Sequence, residues 1–210
     1  MKVIGFNGSP RKNWNSAQML ESALEGAAAA GAETKLIHLA DLSFSGCRSC
    51  FACKRLGGSS FGRCAVKDEL SGLLTEALEA DAIVISAPVY FGDVPGMVRN
   101  LFERLWFPGL MYRKDGACAY TKKVKVGLIY TMNCPDEHFY DALTGSHRNT
   151  FSRFFGETQV LCAVETLQFD DYDLYVGDMF DVPRRKEKHE KEFPEDRRRA
   201  FLMGQAMVKE

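Results

Sequence analysis

Met1-Lys2-Val3-Ile4-Gly5-Phe6-Asn7-Gly8-Ser9-Pro10-Arg11-Lys12-Asn13-Trp14-Asn15-Ser16 is the stretch that decides the fold. Val3 to Phe6 is a short apolar, β-rich run of the kind a buried parallel strand requires. Asn7-Gly8-Ser9-Pro10 then turns the backbone and stops the strand. Asn15 or Ser16 is placed to cap a helix over 17–30, whose first N–H groups and positive dipole end face back into the loop. Such a loop suits an anion: Ser9, Asn15 and Ser16 add hydroxyl or amide donors, and Arg11 adds a forked cation matched to a phosphate. The same residues also suit an ordinary capped strand-turn-helix, so the neighbouring segments must decide between the two.

Working outward, the pattern repeats. The helix over 17–30 leads through Gly31 to a β-rich run over 34–39. Helix 68–80 precedes the apolar strand 82–87, helix 94–105 precedes strand 124–131, and a helical stretch over 136–155 precedes strand 159–166. Strands joined by helices demand right-handed crossovers and a parallel sheet. The expected fold is a flavodoxin-like three-layer α/β/α sandwich with a five-stranded parallel sheet in the order 2-1-3-4-5, over one domain spanning 1–210. In that order the ligand crevice lies beyond the carboxyl ends of strands 1 and 3.

Composition narrows the function. The chain has 210 residues, 46% hydrophobic and 26% charged, enough for a sizeable core. No run approaches the ~18 apolar residues of a membrane span, and an early strand takes the place of a signal peptide, so a cytoplasmic protein without membrane contact is expected. A net charge of −1 argues against a nucleic-acid partner. Seven cysteines without an export signal point to thiols, metal or redox chemistry rather than a disulfide scaffold.

Two loops must meet the first one in the crevice. Pro88-Val89-Tyr90-Phe91-Gly92, after strand 3, offers an extended backbone, two aromatic rings and a glycine that admits close approach, which suits a planar ring. Thr131-Met132-Asn133, after strand 4, is equally readable as a ring contact or as a plain strand-to-helix turn. Gly8-Ser9-Pro10-Arg11 with Asn15-Ser16, and the run 86–104 with Pro88-Val89-Tyr90 and Gly96-Met97-Val98-Arg99-Asn100, resemble the corresponding loops of the flavodoxin-like NAD(P)H-dependent FMN reductases and their iron–sulfur flavoprotein relatives. The resemblance covers about residues 2–166. It implies FMN held by Ser9, Arg11, Asn15 and Ser16 at the phosphate, by Pro88, Val89, Tyr90, Phe91 and Gly92 along the ring, and by Thr131, Met132 and Asn133 at the far edge. Glycine, common in the last of these loops among relatives, is absent here.

Cys47-Arg48-Ser49-Cys50-Phe51-Ala52-Cys53 and the later Cys64, within a cysteine-rich loop over 46–64, space their thiols as C-x2-C-x2-C-x10-C. Three readings stay open: a [4Fe–4S] cluster on Cys47, Cys50, Cys53 and Cys64, free thiols or a disulfide within the loop, and zinc, which prefers two separated pairs. The cluster reading matches the compact motif of the iron–sulfur relatives, although the gap of ten is longer than usual. Beyond strand 5, residues 167–210 form an extension in which an acidic stretch precedes a basic one, read as solvated surface or as a crossing to a second subunit. A terminal helix over 194–207 is expected to dock through Phe201-Leu202-Met203 and Met207.

The resemblance therefore implies an FMN-dependent oxidoreductase that passes electrons from NAD(P)H to a quinone, a flavin or another small-molecule or protein acceptor, as a homodimer or homotetramer. The alternative is an iron–sulfur flavoprotein or flavodoxin-like electron carrier serving protein partners. In either case the flavin carries the chemistry and no side chain is required as catalyst.

Overall fold

A computed structural model describes residues 1–209. The β-branched runs form five strands, β1 (Lys2–Asn7), β2 (Glu33–His38), β3 (Ala82–Pro88), β4 (Lys125–Thr131) and β5 (Thr158–Ala163), in the order β2-β1-β3-β4-β5. All neighbours are parallel, as the alternation of elements predicts. The order reverses at β1 and β3, and register there is level: Asn7 pairs with Ser86, and Pro88 with Thr131. The loops leaving these three strands therefore start side by side.

Both faces of the sheet are covered, so successive strand residues are buried in turn. Ile4, Phe6, Ile83, Ile85, Leu128 and Tyr130 belong to the core shared with α2 (Leu70–Glu79), α3 (Gly96–Gly109) and α4 (Asp141–Phe154). Val3, Ala82, Val84 and Ile129 belong to the core shared with α1 (Asn15–Ala29) and α6 (Phe193–Val208). Helices α1 and α6 touch backbone to backbone. A Cβ on Gly204 would fall 1.8 Å from the Ala23 carbonyl oxygen, and one on Gly26 1.9 Å from that of Phe201.

The structure departs from the sequence reading at several elements. Helix α3 runs on to Gly109 because Pro108 sits in its last turn, where few helix bonds remain to be lost. The stretch over 136–155 divides into a 3-10 turn, Glu137–Tyr140, and α4. The docking stripe of α6 is Ala200, Met203, Gly204 and Met207, while Leu202 is 49% exposed. Helix α5 (Val182–Lys191) occupies the basic stretch taken for solvated surface, with Asp181 capping it by accepting from the Arg184 N–H at 3.1 Å.

Candidate functional site

The loops after β1, β3 and β4 enclose a cavity of about 350 Å³. Asn7 shapes the first of them. It is wholly buried; its Oδ1 accepts from the Ser9 N–H at 3.0 Å and its Nδ2 lies 3.0 Å from His38 Nδ1. Ser9 Oγ in turn accepts from the Arg11 N–H at 3.1 Å. A short polar side chain that bonds two residues ahead holds a turn without help from a sheet.

The expected helix cap is not there. Trp14 occupies the cap position and its side chain makes no capping bond, and Asn15 and Ser16 are the first two helical residues. Asn15 Nδ2 donates to the Leu167 carbonyl at 2.8 Å, and Ser16 Oγ and Thr131 Oγ1 share a hydrogen bond of 2.7 Å. Arg11 donates to the Gln168 carbonyl at 2.7 Å, Trp14 Nε1 donates to that of Leu167 at 2.9 Å, and the guanidinium lies 4.7 Å over the Trp14 ring. Residues 166–168 thus form a strap along the cavity wall. Sequence reasoning missed it because the strap acts through carbonyls, which leave no residue-type signature.

In the second loop, Val89 N–H donates to the Thr131 carbonyl at 2.9 Å, and Tyr90 and Asp93 exchange backbone bonds of 2.7 and 3.0 Å. The two residues between them have positive φ, 51° at Phe91 and 83° at Gly92, the pairing of a tight hairpin turn. Their N–H groups have no protein partner among the described residues. Pro88, Val89, Tyr90 and Phe91 line the cavity; Gly92 alone of the candidate residues does not. A Cβ at Gly92 would meet only the Tyr140 ring, at 3.9 Å, so the turn rather than crowding is what asks for glycine here.

Asp93 anchors that turn from outside the cavity. Its carboxylate accepts from the Val94 N–H at 2.7 Å and stands 3.7 Å from Arg99 and 3.8 Å from His147 Nε2. His147 is 2% exposed; its Nδ1 lies 3.0 Å from the Tyr130 hydroxyl and its Nε2 3.2 Å from Arg99. Burial, aided by Arg99, pulls the His147 pKa down to about 4 against the opposing pull of Asp93. A folded-state value below the unfolded ~6.5 means that the unfolded chain binds the extra proton first. The contribution is intact above pH ~6.5 and is lost as pH falls towards 4, at a cost of about 3 kcal/mol. Urea unfolding at pH 7.5 and 4.5 is expected to reveal that loss in the wild type and to find most of it gone in His147→Gln. Equal acid sensitivity in the two proteins would contradict the assignment.

Thr131 and Met132, from the third loop, are buried in the cavity wall. Asn133 also lines it, but Arg185 of α5 holds it, bonding both to its side-chain oxygen and to its carbonyl, the latter at 3.2 Å. Glu165, with φ 50°, accepts from Arg184 and Lys188, each at 3.1 Å. Burial pushes its pKa up, but the two cations together outweigh this and hold it below the usual carboxylate range. Helix α5 is thus fastened to the back of the site by ion pairs that the sequence, read as a charge run, did not reveal.

The cysteine loop docks elsewhere, on the second half of α3. Cys47, Cys50, Cys53 and Cys64 line one recess with Glu103 and Arg104, and its free space, about 10 Å³, admits one water at most. None of the seven cysteines is bonded to another in this structure. Among the described residues no three Cys, His, Asp or Glu side chains converge closely enough to hold a metal ion. Burial pushes the Cys53 thiol pKa up against the pull of Lys54. Arg104, 2% exposed, leaves its Nε–H buried without an acceptor, an omission that ordinarily costs ~1–3 kcal/mol. Four thiols beside a buried, unsatisfied cationic donor form a donor set that fits a thiolate-bound group, although the loop is drawn in on itself. Another cavity, of about 650 Å³, lies beside this loop between Trp106, Phe107, Leu110 and Phe154.

The family model described as NADPH-dependent FMN reductase matches residues 1–131. An iron–sulfur flavoprotein of Archaeoglobus fulgidus is 41% identical over 104 residues, 50% of this chain and 48% of that protein. One of Methanosarcina thermophila is 34% identical over 127 residues, 60% of each chain. The chain thus matches about half the length of the first of these relatives. Among solved structures, an NAD(P)H:quinone oxidoreductase from Methanothermobacter marburgensis superposes with a TM-score of 0.64 at 17% identity, covering 100% of this chain and 98% of that one. An FMN-dependent NADH-azoreductase from Bacillus anthracis does so with 0.66 at 14% identity, covering 97% and 100%. At such identities the likeness is one of fold.

Proposed function

The chain belongs to the NADPH-dependent FMN reductase family, and on that footing we propose that it binds FMN in the cavity between the three loops and passes electrons from NAD(P)H to a quinone, a flavin or another acceptor. The observation that carries this is convergence. Residues picked from three distant stretches, Ser9 to Ser16, Pro88 to Phe91 and Thr131 to Asn133, line one space at the point where the strand order reverses.

Bound FMN would supply the hydride and electron chemistry. The chain's part is to hold and shape it. The uncapped start of α1 and the Arg11 guanidinium offer N–H groups and positive charge to the phosphate. The Phe91 N–H, without a protein partner among the described residues, offers a neutral donor beside the ring, where a titrating side chain would respond to pH. Adding FMN to the purified protein and following NADPH and NADH oxidation with a quinone tests the reading. Tight, stoichiometric FMN uptake and acceptor-dependent oxidation are expected; absence of FMN binding would refute the site.

A second reading, that of an electron carrier for protein partners, is favoured by the four cysteines that share one recess and by relatives named iron–sulfur flavoproteins. In it Cys47, Cys50, Cys53 and Cys64 would hold a [4Fe–4S] cluster, supplying one-electron chemistry. Iron and sulfide counted in anaerobically prepared protein, with or without direct NAD(P)H oxidation, separate the two.

We further place this activity in a cytoplasmic homodimer or homotetramer. No helix is long and apolar enough to cross a membrane among the described residues. Val176 and Met179 are 99% and 81% exposed in the segment that follows the strap, and a second copy would cover them. Val176→Glu with Met179→Glu is expected to give monomers in sedimentation. A wild type that is already monomeric would refute the assembly.

A further inference from the structure

Arg104 does more than fill the core beneath the cysteine loop. One of its terminal nitrogens donates to Asp68 at 2.5 Å and to the Ser45 carbonyl at 3.1 Å, and the other donates to the Val66 carbonyl at 3.2 Å. Ser45 and Val66 flank the cysteine loop, so a single guanidinium ties together the two ends of a segment of some twenty residues. Its neighbours on α3 complete the attachment. Glu103 accepts from the Cys47 N–H at 3.0 Å, and Lys54 donates to the Phe107 and Pro108 carbonyls, the latter at 3.3 Å. Of its three nitrogens only Nε has no acceptor, and it is buried in the wall of the recess. Burial lowers the Arg104 pKa, but Asp68 and the Cys64 sulfur more than offset it, which sets that sulfur against the guanidinium.

We propose that Arg104 is the positioning residue of the cysteine loop: its guanidinium clasps both ends so that the four cysteines line one recess, and its spare Nε–H is the donor kept for an anionic sulfur there. The first half concerns the chain alone; the second rests on the cluster reading given above. A planar fork suits the task because it serves two carbonyls and a carboxylate through its two terminal nitrogens and still presents an N–H on the third, which a lysine ammonium does not. Hydrogen bonds to cluster sulfurs are among the levers that set reduction potential.

The experiment compares wild type with Arg104→Met, Arg104→Lys and Asp68→Asn. In metal-free protein, hydrogen exchange over 46–63 and maleimide labelling of Cys53, which is 5% exposed, report the clasp. Both are expected to rise by about tenfold or more in Arg104→Met, with smaller rises in Arg104→Lys and Asp68→Asn, while FMN affinity holds within about threefold. Unchanged exchange and labelling would overturn the clasp. After anaerobic loading with ferrous iron and sulfide, Arg104→Met is expected to retain under about a quarter of the wild-type iron, and Arg104→Lys to retain iron at a shifted reduction potential. Equal iron and equal potential in all variants would overturn the donor role. A wild type that takes up no iron would remove the cluster reading and the donor role with it, while the exchange data still decide the clasp. If Arg104→Met fails to fold, the lysine and Asp68→Asn proteins carry both readouts.

Discussion

Ser9→Ala combined with Arg11→Ala is expected to weaken FMN binding by about 3 kcal/mol, roughly a hundredfold or more in Kd, with the fold intact. Hydrogen bonds to a charged group contribute about 1.5–3 kcal/mol each, and the substitutions remove one hydroxyl and one guanidinium from the phosphate loop. The loss should stop short of complete, because the start of α1 and its backbone N–H groups stay in place. Arg11 also donates to the Gln168 carbonyl at 2.7 Å, so the double variant should loosen the strap over 166–168 as well. Fluorescence titration of FMN, paired with thermal unfolding of the apoprotein, separates the two effects. Equal affinity in wild type and variant would take this loop out of the site.

Gly204→Val is expected to cost about 3 kcal/mol or more of stability, at the upper end of what overpacking a core does. The first added atom would fall 1.8 Å from the Ala23 carbonyl oxygen and 3.0 Å from the Ala27 nitrogen. Both belong to helix backbone, so no side chain can swing aside; α6 must lift from α1 and uncover Met19, Leu20 and Ala23. Denaturant unfolding should show a lowered midpoint, and hydrogen exchange should rise in α6 first. Gly145→Ala, inside α4 where nothing lies within 4 Å of the new Cβ, serves as the control and is expected to gain up to about 1 kcal/mol. A Gly204→Val protein as stable as that control would mean that the two helices are not in contact.

The sheet order was legible because the three central strands are buried on both faces. Such strands need uninterrupted β-rich runs, and Ala82 to Ala87 and Val124 to Thr131 supply them in an order that permits few topologies. The cavity lining was legible where side-chain chemistry is local to a loop, as at Ser9 and Arg11. It was not legible where the strap contributes Leu167 and Gln168 carbonyls, nor where Arg185 reaches Asn133 from a helix hidden in a charge run. Asp181 and Pro183 at the head of that helix were the available signal. His147 escaped for a related reason: its partners, Tyr130, Arg99 and Asp93, come from three different elements. The cysteine spacing says nothing of what ties the loop down, and the Arg104 bonds to Ser45, Val66 and Asp68 leave no trace in it.

The contact between α1 and α6 also sets the timetable on which the protein can mature. The two helices meet at glycines roughly 180 residues apart in the chain, and pairings of such separation form late. At ~5–20 residues per second, the ribosome leaves the apolar side of the first helix without its partner for about ten seconds or more. During that interval Met19, Leu20 and Leu24 are open to wrong neighbours. Losses to aggregation on refolding at high concentration are the expected consequence of a helix pair that equilibrium measurements record only as stability.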